Sequence, residues 1–266
     1  MIQLPETKSE VSNYNPKLLI ICGKPKSGKS TVAAALENNL IIDLEDGYRS
    51  LSVLKVQART SKDLFDIREA LIAKGKQEGK VPYRFITIDN ATRLEEIALS
   101  YAAQLYRSTP MGVGWGYLKD ERGQDIRDPR SNKPIPDPKA DVRMLANGQG
   151  WLYSRLAIRK LIDMFKPLCE TLILICHIKD RQIRKNAEEV SEISVDLAGK
   201  TGDIICGEAD ACGYLYREDN KTYLSFEGGG DVLREARPLH LRGKKLLLIT
   251  SDEENKLSIN ISNLFI

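Results

Sequence analysis

Four short apolar runs set the frame of the chain. Leu18-Leu-Ile-Ile-Cys22, Leu40-Ile-Ile-Asp43, Phe85-Ile-Thr-Ile-Asp89 and Thr171-Leu-Ile-Leu-Ile-Cys176 are nearly continuous in hydrophobic residues. Runs of that length without polar alternation predict strands covered on both faces. A further short strand is predicted at 52–58. The segments between have helical character. Val32-Ala-Ala-Ala-Leu36 has helix-forming composition, and Leu64, Ile67, Leu71 and Ile72 recur at helical spacing after a cap at Ser61, through about Lys76. Thr92 is expected to cap a helix reaching about Arg107, and residues 151–165 a helix that stops near Pro167. Strands alternating with helices predict an α/β fold with a mainly parallel, twisted sheet and helices on both faces. The rhythm then changes. Two runs, 211–216 and 222–226, flank the turn Glu218-Asp-Asn-Lys221, and 245–249 and Leu257-x-Ile259-x-Ile261 follow, which predicts an antiparallel C-terminal extension. Residues 1–16 form a polar lead-in and 17–266 one domain. It is interrupted by a Gly- and Pro-rich loop insertion at 108–149 and a loop of mixed charge at 178–200.

Composition narrows the class without naming a chemistry. A chain of 266 residues with 42% hydrophobic content can bury one large core. No run approaches the roughly 18–20 apolar residues of a membrane span. Met1-Ile-Gln-Leu-Pro5 lacks the basic-then-apolar order of a signal peptide, so a cytoplasmic protein is expected. The five cysteines form no C-x-x-C pair and lie mostly in strand-like runs, which predicts reduced core thiols and no metal site built from them. A net charge of +3 is too mild to specify a nucleic-acid partner, so only local clusters can argue for one.

The first strand leads directly into chemistry. Gly23-Lys-Pro-Lys-Ser-Gly28-Lys29-Ser30 stands between an apolar strand and a helix, the context that a phosphate-binding loop requires. Gly23, Lys24, Pro25, Lys26, Ser27, Gly28, Lys29, Ser30 and Thr31 make up the nucleotide-binding segment, with the Lys24 and Lys26 side chains expected as solvated charges. Glycines let successive backbone N–H groups wrap the phosphates, and the helix beginning near Ser30 turns its positive end toward the same anion. Lys29 is expected on the β/γ-phosphates and the Ser30 hydroxyl on Mg²⁺, so ATP and Mg²⁺ are the expected cofactors. Three further residues stand at strand ends, where open α/β sheets hold ligands. Asp89 is placed to hold Mg²⁺, directly or through water. Glu45, two residues past the second strand and beside Asp43, is placed to activate the attacking water. His177, directly after the strand that ends at Cys176, can hydrogen-bond the γ-phosphate and report its loss.

The order of phosphate loop, Ile42-Asp-Leu-Glu45, Ile86-Thr-Ile-Asp89 and Ile175-Cys-His177 resembles the RecA/DnaB class of P-loop ATPases. The segment from Asp196 to Arg217, with its acidic Ala-Asp pair and a strand ending in Tyr-Arg, is similar to a stretch of replicative helicases. The length, without a helicase N-terminal domain, is most similar to the minimal phage RecA-like proteins of single-strand annealing and recombination. The resemblance covers roughly residues 17–245. It implies a RecA-like fold, a catalytic glutamate at Glu45, a polar sensor at His177, a ring or filament of identical subunits, and single-stranded DNA as substrate. A single-strand-binding protein is a further partner of the kind it implies. It also implies a cation supplied to the neighbouring subunit's site, with Arg237 in that position and Arg234 and Lys200 as competitors.

Charge near the sensor agrees with that implication. Lys179-Asp-Arg181-Gln-Ile-Arg184-Lys185 holds four basic residues against one acid, and such a cluster predicts sequence-blind, salt-dependent grip on phosphates through Lys179, Arg181, Arg184 and Lys185. The long insertion adds Trp115, Tyr117, Arg122, Arg127, Arg130 and Lys133, residue types that stack on and track a single strand. Asp120, Glu121, Asp125 and Asp128 oppose that role. Two other functions fit the same loop: a small-molecule P-loop kinase, and a nucleotide-dependent loader or assembly ATPase that binds protein. No Arg-rich lid follows a kinase pattern.

Overall fold

The computed structural model describes residues 4, 6–7, 12–185, 188–229, 234–252, 254 and 256–266, and the side chains of these except 181–191. The four apolar runs become β1 (Leu18–Cys22), β2 (Asn39–Asp43), β4 (Phe85–Asp89) and β5 (Thr171–Cys176), each buried at every position. β3 (Leu54–Gln57) flanks β2, and the chain continues past β5 through β8 (Ala211–Glu218), β9 (Lys221–Ser225), β10 (Glu235–Ala236), β11 (Lys245–Ser251) and β12 (Leu257–Ile259). Across the sheet the order is β12-β11-β9-β8-β1-β5-β4-β2-β3, with β10 paired to β8. The run from β8 to β3 is parallel, and β9, β10, β11 and β12 are antiparallel additions. This is the mainly parallel sheet with an antiparallel C-terminal extension that the hydrophobic pattern predicts.

Alternate residues of β1 feed two cores. Leu18, Ile20 and Cys22 face a layer made by α2 (Ser61–Glu78), α3 (Ala91–Arg107), α4 (Gln149–Asp163) and α5 (Thr201–Glu208). Leu19 and Ile21 face α1 (Lys29–Ala35), through Val32, together with the C-terminal residues Leu241, Leu248 and Leu264. The helices thus cover both faces unequally. The second face is closed largely by the tail, which explains why the late apolar residues recur without helical spacing.

Local chemistry shifts several boundaries. Thr60, rather than Ser61, caps α2: its hydroxyl accepts from the Asp63 N–H while the Asp63 carboxylate accepts from the Thr60 N–H at 2.9 Å. Asn90, rather than Thr92, caps α3 by accepting the Arg93 N–H at 2.9 Å. The Thr92 hydroxyl instead donates to the Asp196 carbonyl at 3.0 Å.

The segment expected as a loop at 178–200 is mostly a β-hairpin. β6 (Ile178–Lys185) and β7 (Glu188–Val195) pair with each other and with no strand of the main sheet. A ribbon outside the main sheet need not alternate apolar and polar residues, so the pattern gives no sign of it. The insertion at 108–149 is held by its own turns. Asp120 accepts the N–H groups of Arg122 and Gln124, and Asp128 those of Arg130 and Ser131. Isolated bridges join Tyr117 to Pro136 and Arg127 to Pro134.

Candidate nucleotide site

Register brings the strand ends to one level. Cys22 pairs with Cys176, Asp89 with Ile175, and Asp43 with Asp89, so the residues following β1, β5, β4 and β2 gather at the carboxyl edge of the sheet. A cavity of about 260 Å³ opens there, and Lys29, Ser30, Thr31, Glu45, Asp89 and His177 all line it. The sequence predicts these residues in one site, and the fold brings them together.

The phosphate loop needs its glycines for two different reasons. A Cβ on Gly23 would lie 2.4 Å from the Leu215 carbonyl oxygen of β8, so the close approach of that strand excludes any side chain. Gly28 has φ +100°, a left-handed conformation that L residues with a side chain rarely adopt. Lys29 is buried, and its ammonium donates to the carbonyls of Gly23 at 2.9 Å and Lys24 at 2.7 Å. Burial draws its pKa below the usual lysine value, and the Asp89 carboxylate partly opposes that shift.

Asp89 is the hub of the opposite wall. Its Oδ2 accepts from the Tyr48 hydroxyl at 2.6 Å and from the Ser30 hydroxyl at 3.1 Å. Burial raises the carboxyl's pKa, while these two hydrogen bonds favour the ionised form. Tyr48 is itself buried between α1 and β2, against Ala33 and Ile41, and burial together with the Asp89 charge raises its pKa. Ser30 and Asp89 present hard oxygen donors side by side. That fits Mg²⁺, which takes one or two protein oxygens and completes its shell with phosphates and water. Ser30 would bind the ion and Asp89 would hold it directly or through water. Among the described residues no group of three or more His, Cys, Asp or Glu forms a metal cage.

The two acids after β2 separate by environment. Asp43 is buried and occupied: its Oδ1 accepts the N–H groups of Glu45 and Gly47 at 3.2 Å each, and its Oδ2 faces the Lys55 ammonium at 3.3 Å. It therefore shapes the turn. Glu45, on that turn, is exposed at the cavity, where it can reach water.

His177 is fixed by its neighbour. The Asn90 Oδ1 is taken by the Arg93 N–H, so the amide turns its Nδ2 toward His177 Nε2, 3.1 Å away. An NH₂ group only donates, which makes Nε2 the acceptor and places the imidazole proton on Nδ1. That Nδ1 is buried and has no partner among the described atoms. A buried N–H without an acceptor is uncommon, and it stands here on the wall of an anion site.

Other expected residues lie elsewhere. Arg237 donates to the Gly207 carbonyl at 2.8 Å and sits 3.7 Å from Asp210. Asp210 in turn accepts the Lys17 N–H at the amino end of β1. Arg237 is therefore at the opposite end of the strands from its own chain's cavity. Arg234 donates to the Glu227 carbonyl at 2.7 Å, and Lys200 precedes α5. Lys179 is turned back onto the base of the hairpin, where it donates to the Leu197 carbonyl and faces Asp196 at 3.5 Å. The side chains of Arg181, Arg184 and Lys185 lie outside the described residues. In register, Arg181 stands opposite Glu192, Arg184 opposite Glu189 and Lys185 opposite Glu188. The second strand thus carries an acid at each of these three register positions.

The insertion's aromatics are also engaged. Trp115 packs edge-on to Tyr106 at 5.3 Å, and Arg107 donates to the Trp115 and Gly116 carbonyls while lying 4.7 Å over the Tyr117 ring. Trp115 and Tyr117 pin the insertion to α3 rather than standing free to stack on bases. Among the side chains lining the cavity, Tyr48, Asn90 and Arg217 near the end of β8 have no role in the sequence analysis. The only available signal was position, since Arg217 closes the Tyr-Arg strand and Asn90 follows Asp89.

Residues 15–128 match the AAA domain family model, a span that includes the phosphate loop, Glu45 and Asp89. With β5 between β1 and β4, and a phosphate loop leading into α1, the topology decides the fold. The chain has the RecA-like P-loop NTPase fold. Among solved structures, this P-loop domain is similar to the RadB recombinase, with 11% identity, a TM-score of 0.44, and 93% of this chain and 92% of that one covered. It is also similar to a KaiC-like protein from Pyrococcus horikoshii OT3, with 13% identity, a TM-score of 0.45 and coverage of 93% and 91%. No curated protein matches the P-loop domain in sequence. No described helix is long and apolar enough to cross a membrane.

Proposed function

We propose that this P-loop domain binds ATP with Mg²⁺, hydrolyses it, and couples the cycle to single-stranded DNA in recombination or strand annealing of the phage type. The observation that carries the hydrolytic part is the exposed Glu45 carboxylate on the same cavity as Lys29, Ser30, Asp89 and His177. Lys29 and the loop N–H groups hold the phosphates, and Lys29 neutralises charge that develops on them. Mg²⁺ supplies further charge stabilisation when bound. Glu45 orients a water and takes its proton, and the His177 Nδ1–H donates to a γ-phosphate oxygen.

DNA action rests on the placement of the hairpin. Asp196 donates its N–H to the His177 carbonyl at 2.8 Å, so the base of β6–β7 is tied to the sensor residue. Arg237, at the far end of its own strands, suits a role in a neighbouring subunit's site, and the active form is a homo-oligomer. A single-strand-binding protein is a natural companion on such a substrate.

The test is steady-state phosphate release with and without single-stranded DNA, beside a panel of nucleoside acceptors. Release that rises with DNA and no transfer to any acceptor is expected. Phosphoryl transfer to an acceptor would replace the reading with a small-molecule kinase, and release indifferent to DNA would turn it toward a loader that binds protein.

A further inference from the structure

The phosphate loop has a second side. Behind it lies a cavity of about 390 Å³, bounded by Lys24, Lys26 and Ser27 of the loop and by Tyr214, Tyr216 and Arg217 of β8. Lys26 and Arg217 border both cavities, whereas Ser27, Tyr214 and Tyr216 border this one and not the nucleotide cavity. We propose that this groove binds a phosphate of a nucleotide unit, and that a single strand of nucleic acid supplies it.

Three observations converge on an anion. First, every charged residue on the groove is a cation, and none of the three has a carboxylate partner among the described residues. Of the acids nearby, Glu218 is paired with Lys245 at 3.1 Å; burial raises the Tyr214 pKa, with the Asp180 charge adding to that shift and the Arg234 charge opposing it. Second, the Ser27 hydroxyl is buried, 8% exposed, and has no hydrogen-bond partner among the described atoms. Buried hydroxyls nearly always find one, so a ligand atom in the groove is the natural acceptor or donor. Third, the β8 side of the groove carries phenols. The Tyr214 and Tyr216 rings stack at 5.3 Å with 20° between planes, and Tyr223 on β9 extends the row at 5.9 Å, with the Lys245 ammonium 4.1 Å from its centroid. Lysine, arginine, serine and tyrosine are the donors that hold phosphate oxygens in nucleic-acid complexes.

The choice of a strand over a free nucleotide comes from shape. Lys24, Pro25 and Lys26 are all exposed along the rim, so the groove is an open trough that a polymer can cross. The tyrosine row continues away from it along β8 and β9, a surface that tolerates any base sequence. The loop is the common wall of both cavities. A phosphate on its outer side therefore acts on the same backbone that grips ATP, without passing through His177 or the hairpin. The inference rests on the DNA reading above only for the source of the phosphate.

The test is lysine acylation footprinting by mass spectrometry on the full chain saturated with ADP and Mg²⁺, so that the nucleotide cavity is occupied throughout. The probes are oligo(dT), thymidine monophosphate and inorganic phosphate. With oligo(dT) at ten times its dissociation constant, Lys24 acylation should slow about tenfold by mass action, while the small probes at equal concentration protect far less. Lys24→Gln should flatten the salt dependence of oligo(dT) binding, read by fluorescence anisotropy, by about 0.7 in log–log slope for one lost phosphate contact. Tyr216→Phe, which keeps the ring, should weaken oligo(dT) binding while labelled-ADP affinity, read in parallel, reports an intact loop. Equal protection by thymidine monophosphate would support the site and assign it to a free nucleotide. Oligo(dT) that binds while Lys24 stays fully reactive and Lys24→Gln keeps its slope would overturn the proposal and leave the DNA reading standing. No binding of oligo(dT) and no protection by any probe would overturn both.

Discussion

Tyr48→Phe isolates one atom of the site. The ring is packed between α1 and β2 and stays, and only the hydroxyl that donates to Asp89 Oδ2 at 2.6 Å is lost. A hydrogen bond to a charged group contributes about 1.5–3 kcal/mol. The carboxylate left behind is buried and keeps the Ser30 hydroxyl as its other donor, so the middle of that range, about 2 kcal/mol, is the expected loss. For a chain of this size that corresponds to a fall in Tm of roughly 4–8 °C. The pH dependence has a definite sign. Burial raises the Asp89 pKa in the folded protein, so its ionised form costs stability above that pKa and the cost disappears as the pH falls through it. The Tyr48 hydrogen bond offsets part of this cost and acts on the ionised form. The gap between wild type and variant should therefore be full at neutral pH and close in acid. Thermal melts across pH measure it, and titration of labelled ADP with Mg²⁺ reads the second effect: a weaker Mg²⁺ requirement-dependent gain in affinity, because Asp89 is less firmly oriented. A Tyr48→Phe protein as stable as wild type at pH 7, with an unchanged Mg²⁺ titration, would refute the reasoning.

Three other substitutions probe the same cavity. Lys29→Ala should lose labelled-ATP binding while its melting temperature changes little, since among the described residues its ammonium hydrogen-bonds only to two loop carbonyls; retained affinity in a folded protein would remove the phosphate-loop assignment. Glu45→Gln should bind ATP as wild type does and release phosphate at least about a hundredfold more slowly, in line with the usual worth of a general base. Equal turnover would move that role elsewhere. His177→Ala should keep ATP affinity but lose most of the factor by which a non-hydrolysable ATP analogue changes single-strand affinity, measured by anisotropy against ADP; an unchanged factor rejects the sensor.

What could be read in the sequence follows what each signal depends on. The buried strands β1, β2, β4 and β5 were legible because parallel strands covered on both faces are nearly continuous in apolar residues, and their ends carried the polar residues of the site. The cavity's Glu45, Asp89 and His177 were legible because they are counted from strand ends, and Lys29 and Ser30 because they stand in the Gly-x-x-x-x-Gly-Lys-Ser pattern of a phosphate loop. The hairpin was not, because β6 and β7 pair with no strand of the main sheet and their residues show no alternation. Nor was the register that sets Arg181, Arg184 and Lys185 opposite glutamate positions. Tyr48 was hidden because a tyrosine in a turn is unremarkable until the turn folds it under α1. Trp115 and Tyr117 stayed ambiguous because composition cannot distinguish an aromatic that stacks on a ligand from one that anchors its own loop.

The position of His177 allows a change at the γ-phosphate to reach the hairpin through few contacts. Its ring is held by Asn90, which is also the cap of α3, and its carbonyl accepts the Asp196 N–H where β7 ends. The first turns of α3 hold the same segment again: Thr92 donates to the Asp196 carbonyl, and Glu95 accepts the Ala198 N–H at 3.0 Å. Burial raises the Glu95 pKa and that hydrogen bond opposes the shift, so the carboxylate depends on the segment staying in place. An acceptor offered to the Nδ1–H would pull on the ring, and the ring cannot move without either breaking the Asn90 contact or carrying the α3 cap with it. Both alternatives bear on the segment 196–198. If the hairpin grips a single strand as proposed, reciprocity follows from linkage: whatever ATP does to that affinity, the strand does to the affinity for ATP. The outer groove of the phosphate loop would supply a second coupling that bypasses α3 altogether. His177→Ala therefore separates the two routes, since it removes the first and leaves Lys24, Ser27 and the tyrosine row untouched.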